Sequence, residues 1–297
     1  MQPFFAQRFE KVEPSFIREI LKVAANPEII SFAGGLPNPH LFPVKAIEQA
    51  CQDVLREQGA AALQYATTEG FAPLRQYIAD RYLSRHGMSV NPDNILITSG
   101  SQQALDLLGK VLVDEGQDLI IEEPGYLGAI QAFSVYQPNF KPITLGGEGL
   151  DLAALDALLE QGSSARLLYG VPNFQNPSGV SYSRANREAL AERLVRHDLL
   201  MVEDDPYGEL RFEGEHLPPI AKLAPNNTVL LGSFSKTVVP AFRLGWMLVP
   251  DWLRKKVTIA KQATDLHSNA FSQQVLHRFL TDHSLDAHLE KIKEVYG

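Results

Sequence analysis

The sequence predicts an α/β fold in which helices pack on a mostly parallel sheet. Three observations carry that expectation. From about residue 90 onward, short apolar runs alternate with amphipathic stretches of helical period. Several of those runs end directly in polar or charged residues, and strand ends of that kind are where ligands gather in open α/β sheets. The amphipathic stretches follow a strand or open on an N-cap residue such as Asp151 or Ser183, whose side-chain oxygen can accept from the first free amides.

Seven strands are expected, at ILIT (95–98), DLIIE (118–122), FKPITL (140–145), ARLLYGV (165–171), LLMVED (199–204), TVLLGS (228–233) and LGWMLVP (244–250). Helices are expected at about 101–114, 126–136, 151–160 and 183–197. The first ninety residues show helical periodicity at 15–24, 44–57 and 72–87, interrupted by the Gly- and Pro-rich SFAGGLPNPHLFP (31–43), which reads as irregular. Residues 250–295 look helical almost throughout, with a break near Asp282–Ser284. There is no internal repeat, low-complexity tract or flexible linker.

Bulk composition narrows the function classes. A chain of 297 residues, 45% hydrophobic and 21% charged, can bury one large core, or one core plus a fragment of a second. Its net charge of −8 argues against nucleic acid or an anionic membrane as the main partner, since both reward clustered Lys and Arg. No apolar run is long enough to span a bilayer and the N-terminus lacks a signal-peptide layout, so a cytoplasmic location is expected. Cys51 is the single cysteine, which excludes a disulfide within the chain, and its spacing from Ile47 and Val54 marks it as a core thiol.

The residue that carries most information is Lys236, within GSFSKTVVPAFRLGW (232–246). Its setting suits an amine that forms an imine with an aldehyde cofactor, beside a phosphate cup made by Ser233, Ser235 and Arg243. Alone, the string also reads as a surface lysine in a Ser-rich turn. Other segments bear on the choice. In TSGSQQALDLLGKVL (98–112), Gly100, Ser101 and Gln102 stand at a strand end that opens into a helix, where backbone amides and the helix dipole favour an anion; a plain N-cap is the simpler alternative. Neither this segment nor GSFSKT has the glycine spacing of a dinucleotide fingerprint or a Walker A loop. Tyr126, in EEPGYLGAIQAF (122–133), is placed to stack on a flat heterocycle, or to join the core. In NFQNPSG (173–179), Pro177 holds Asn176 extended with its amide aimed outward. VEDDPYGEL (202–210) ends a strand with Asp204 and puts Tyr207 three residues on. A carboxylate there can keep a pyridine nitrogen protonated and a phenol can donate to a ring oxygen, whereas a solvated acidic strand end would do neither.

Taken in order, these strings resemble the fold type I pyridoxal-phosphate enzymes, specifically the class I/II aminotransferases. Within them the chain looks most like the branch containing 2-aminoadipate and kynurenine aminotransferases, through SFAGGLPNPHLFP, ALQYATTEGFAPLR, ITSGSQQALDLLGKV, GAIQAF, FQNPSG, EDDPY and KQATDLH, from about residue 15 to the end. The resemblance implies a three-layer αβα sandwich with a mostly parallel seven-stranded sheet and pyridoxal 5'-phosphate as cofactor. It makes Lys236 the imine-forming lysine, Asp204 the ring-nitrogen partner, and Asn176 with Tyr207 the contacts to the ring oxygen. Ser101, Gln102, Ser233, Ser235 and Arg243 become phosphate ligands and Tyr126 the stacking aromatic. Tyr65 would reach the phosphate across a homodimer interface. Gly35 matches a substrate-contacting backbone position, and Arg18 a mobile arginine that pairs with a distal substrate carboxylate.

The implied reaction moves an amino group from 2-aminoadipate, or a similar acidic or large amino acid, to a 2-oxo acid such as 2-oxoglutarate. Residues 1–45 would form an N-terminal arm and substrate-side segment, 46–282 the cofactor-binding large domain, and 283–297 the start of a truncated C-terminal small domain. Family members continue for about another hundred residues, the size of a small domain, which supplies an arginine for the substrate α-carboxylate. Without it, the helices at 250–295 would lose apolar cover and turnover would suffer. Two other readings stay open: a catalytically impaired cofactor-binding homologue, and the effector-sensing half of a transcription regulator.

Overall fold

A computed structural model describes residues 4–9, 12 and 35–297. Arg18 and the helix expected at 15–24 lie outside the described residues. The strands are β1 (Ile95–Thr98), β2 (Asp118–Glu123), β3 (Asn139–Gly146), β4 (Gly149–Leu150), β5 (Leu167–Gly170), β6 (Leu200–Asp204), β7 (Thr228–Ser233) and β8 (Gly245–Leu248). All seven expected strands are among them. The eighth, β4, adds two antiparallel residues beside β3 and is too short to carry a periodic signal, so the sheet has eight strands rather than seven.

The sheet order is β1-β8-β7-β6-β5-β2-β3-β4. The run β7-β6-β5-β2-β3 is parallel throughout, while β8 runs antiparallel to both neighbours, β7 and β1. Successive strand side chains point to opposite faces, and the core divides accordingly. Leu119, Ile121, Leu167, Tyr169 and Val202 face one apolar cluster. Ile120, Leu168 and Met201 face another.

Helices cover both faces, as strands apolar on both sides require. On the first face lie α3 (Ser101–Leu112), α4 (Leu127–Ser134) and α8 (Asp251–Asp265), contributing Leu105, Phe133 and Val257. On the other lie α5 (Leu152–Glu160), α6 (Arg184–Arg196) and the single-turn α7 (Ile220–Leu223). There too α1 (Val44–Gln58), α2 (Ala72–His86), α9 (Ala270–Asp282) and α10 (Leu285–Tyr296) close over Ile95 and Ile97. This is a three-layer αβα arrangement. Asp151 and Ser183 cap α5 and α6 as expected, accepting from Ala153 and Ala154 and from Asn186.

The C-terminal run breaks twice. The expected interruption at His283 and Ser284 is present, and a further one at Leu266–Asn269 separates α8 from α9. There Leu266 adopts a left-handed φ of 64° and Asn269 caps α9 by accepting from Ser272 N. Part of the apolar surface of these helices is buried by this chain itself, at Leu253 and Val257 on α8, Phe279 and Leu280 on α9, and Leu289 and Ile292 on α10, while Trp252, Ile259, Val295 and Tyr296 are exposed. Cys51 is half-buried, and burial pushes its thiol pKa up, as an unreactive core thiol requires. No described helix is long and apolar enough to cross a membrane.

Candidate functional site

The carboxyl ends of β1, β2, β5, β6 and β7, with the entry to β8, open into one cavity of about 400 Å³. Its walls include Ser101, Gln102, Tyr126, Asn176, Asp204, Tyr207, Ser233, Ser235, Lys236 and Arg243. Residues scattered over nearly half of the sequence converge there because the parallel strands deliver their C-terminal loops to one edge.

Alternation along β6 explains how neighbouring acids serve different places. Glu203 turns to the face of α7, where its carboxylate accepts from Ile220 N at 2.9 Å and Ala221 N at 2.8 Å. Asp204 turns to the cavity and is buried, so the acidic strand end is not a solvated one. Its Oδ2 accepts from the Tyr169 hydroxyl at 2.9 Å, while Oδ1 is buried and has no hydrogen-bond partner among the described residues. A buried carboxylate oxygen without a donor is costly. Burial pushes the Asp204 pKa up to about 7, against the lowering effect of Tyr169. A protonated ring nitrogen is the donor such an oxygen needs, so the residues present fit pyridoxal phosphate.

At the facing wall, β7 ends in Ser233, and its hydroxyl accepts from Ser235 N at 3.1 Å. Lys236 follows, half-buried, with Nζ donating to Gly35 O at 3.2 Å. Burial pulls its pKa down, and the Arg243 guanidinium adds to that effect. Arg243 sits at a left-handed φ of 52°, which a non-glycine residue adopts at a cost of about 1 kcal/mol. Its Nη1 reaches Ser235 Oγ at 3.4 Å. Two hydroxyls, an arginine and the N-terminus of α3 thus surround one end of the cavity, the composition of a phosphate cup.

Gly100 makes that approach possible. It has φ +78°, and a Cβ there would lie 2.6 Å from Arg243 Nη2. Gly100→Ala is therefore expected to weaken pyridoxal phosphate binding at least about tenfold and to cost about 1–2 kcal/mol of stability. Cofactor titration and thermal unfolding of the variant check both figures. Gly128 plays a similar part for Tyr126, since a Cβ there would stand 2.6 Å from its ring. The Gln102 side chain donates to Gly128 O at 2.8 Å, so one of its two amide hydrogens anchors α4, and the other is left, with the backbone amide, for an anion.

Asn176 and Tyr207 face each other across the cavity rim, and the Asn176 loop is braced from below. Glu122, buried at the end of β2, accepts from Tyr182 Oη at 2.6 Å, Val171 N at 2.9 Å and Gln175 Nε2 at 3.0 Å. Arg187 on α6 is fully buried and donates to Tyr182 O at 3.0 Å, Pro172 O at 2.8 Å, Asn173 Oδ1 at 2.8 Å and Pro218 O at 3.2 Å. Arg187→Met would orphan several buried acceptors, and urea unfolding should show a loss of about 2–4 kcal/mol.

Of the remaining expected positions, Gly35 adjoins the site: its carbonyl accepts from Lys236, and it lines a neighbouring cavity shared by Tyr126, Asn176, Tyr207 and Lys236. Tyr65 is 80% exposed, outside the cavity, and its ring meets that of His267 edge-on with centroids 5.8 Å apart. Sequence reasoning missed Tyr169, which had been read only as a strand residue. Its place beside Val202 in the β5–β6 register, two residues short of Asp204, is the signal that could have found it.

Residues 29–295 match the family model described as aminotransferase class I and II. The chain is 40% identical to the aromatic-amino-acid aminotransferase 1 of Thermococcus litoralis over 99% of its own length and 72% of that protein's. It is 41% identical to the 2-aminoadipate transaminase of Thermus thermophilus over 98% of its length and 72% of that protein's. Among solved structures, the kynurenine aminotransferase of Pyrococcus horikoshii in complex with PMP matches with a TM-score of 0.93 at 40% identity, over 99% of this chain and 74% of that one.

Proposed function

The chain belongs to the class I and II aminotransferases, and from that premise we propose that it moves the amino group of 2-aminoadipate, or of another acidic or large amino acid, to a 2-oxo acid such as 2-oxoglutarate. The observation that carries this reading is the pairing, across one cavity, of the donorless buried oxygen of Asp204 with the lysine amine of Lys236. When bound, pyridoxal phosphate supplies an aldehyde for the substrate amine and a ring that absorbs negative charge.

The chain's own residues do the rest. Asp204 Oδ1 accepts from the ring nitrogen and holds its proton there. Lys236, whose pKa burial pulls below its usual value, is the amine placed to take the substrate α-proton and deliver it again nearby. Tyr126 covers one ring face, and Asn176 with Tyr207 orients the ring oxygen. Ser101, Ser233, Ser235, Arg243 and the Gln102 amide hold the phosphate. Gly35 and Arg18 contact the substrate, Arg18 through a distal carboxylate. A homodimer completes the site with Tyr65 of a second copy, and its exposure, with Leu63 69% exposed beside it, supports that role.

The test is direct. Purified protein given pyridoxal phosphate should show a visible imine band that borohydride fixes, and should transaminate 2-aminoadipate or aromatic amino acids with 2-oxoglutarate. Absence of the band would remove the proposal. A band without turnover on any of these amino acids would favour an effector-sensing or impaired homologue instead.

A further inference from the structure

A second charged cluster, centred on a buried lysine, backs the cavity wall without lining the cavity. Lys261, on α8, is fully buried. Its ammonium donates to Asp265 Oδ1 at 2.9 Å, and to Asp265 Oδ2, Gln103 Oε1 and Ser268 Oγ at 3.0 Å each. Gln103 Oε1 also accepts from Ser99 N at 2.8 Å, and Gln103 Nε2 donates to Asp265 Oδ2 at 2.6 Å. The Ser99 hydroxyl lies 3.3 Å from Asp265 Oδ2 and 3.1 Å from Ser268 Oγ. Ser268 Oγ reaches Ile97 O at 3.4 Å. Every member of the cluster therefore ties back to Ile97–Ser99, the stretch that leads into Gly100 and Ser101.

Holding two helices together does not call for such a cluster, because apolar side chains of similar volume do that at least as well. A fully hydrogen-bonded charged cluster instead specifies one geometry. Here the segment it constrains is the turn from β1 into α3, which presents backbone amides and the Ser101 hydroxyl to the cup. Burial pulls the Lys261 pKa below its usual value, and the hydrogen bond and charge of Asp265 oppose that fall.

We propose that Lys261 is a positioning residue for the phosphate seat, acting through Gln103 and Asp265 on Ser99 to fix the β1–α3 turn opposite Arg243. The inference rests on the cofactor reading of the cavity. Its effect must fall on the phosphate and spare the rest of the cofactor, which a merely structural lysine would not achieve.

Cofactor-free protein and its Lys261→Met variant should be titrated with pyridoxal phosphate, with pyridoxal, which lacks the phosphate, and with inorganic phosphate. The expected result is a rise of about tenfold in Kd for both phosphate-bearing probes, with pyridoxal binding unchanged. Amide hydrogen exchange should accelerate over residues 97–104 and stay at wild-type rates in β6 and β7. Equal weakening of pyridoxal and pyridoxal phosphate, faster exchange across the whole sheet, or unaltered phosphate binding would each overturn the proposal. Should Lys261→Met fail to fold, Gln103→Met removes the acceptor shared by Ser99 and Lys261 while keeping a good helix former, and the same outcomes apply. If the wild-type protein itself binds neither phosphate nor pyridoxal phosphate, the reading of the cavity fails first.

Discussion

Lys236→Ala is expected to reduce transamination by about 10⁴-fold or more while leaving a folded protein that still binds pyridoxal phosphate through its phosphate. Both consequences follow from where the side chain stands. Its Nζ makes one hydrogen bond within the described residues, to Gly35 O at 3.2 Å, so truncation breaks little of the fold. Yet it is the amine with a lowered pKa on the cavity wall, the position an acid-base group needs. Loss of the visible imine band together with turnover, at unchanged melting behaviour, is the pattern to observe. Retention of the band in the variant would mean that another amine carries the cofactor.

Asp204→Asn should produce opposite effects on function and on the stability of the cofactor-free protein. Turnover should fall by about 10³-fold, because a neutral amide cannot hold the ring nitrogen protonated. Stability follows from linkage. Burial raises the folded-state pKa of Asp204 from 3.8 to about 7, so between those values the folded protein holds a proton that the unfolded chain has released. Stability must then decline as pH rises from about 4 to 7, with the full penalty present above 7 and none below 4. The variant escapes that penalty. Without cofactor, Asp204→Asn should be more stable than wild type at pH 8, by an amount on the order of a few kcal/mol, and the advantage should vanish towards pH 4. Saturating pyridoxal phosphate should reverse the ranking at pH 8, since the wild-type carboxylate then has its partner. Urea unfolding at the two pH values, with and without cofactor, reads all of this.

Much of the architecture was legible because its strands are buried on both faces and appear as unbroken apolar runs such as LLMV and TVLL. The elements that escaped are those without a period to read, namely the two-residue β4 and the four-residue α7. At the site, residues near a strand end in their own motif, such as Asp204 and Ser233, could be found from local sequence. Tyr169 could not, because its role depends on register with a neighbouring strand. Lys261 and Asp265 were invisible for a different reason: an i, i+4 ion pair on an amphipathic helix ordinarily reads as a solvated face, and only the packing of α8 on α3 buries its lysine. Glu122 and Arg187 likewise acquire their meaning from the carbonyls, amides and hydroxyls gathered around them in the fold.

The placement of β8 between β7 and β1 has a consequence for the order of events in folding. Ile95 pairs with Leu248, so β1 has no strand partner until nearly the whole sheet-forming sequence has been synthesised. Ser101, just after β1, and Arg243, just before β8, meet only when that late insertion is made. The anion seat is therefore among the last features to be assembled, at a high cost in loop closure. A partly folded chain would display the lysine and the aspartate but no seat for the phosphate, which makes cofactor capture a reporter of completed folding and delays any ligand-derived stabilisation until the final strand has docked.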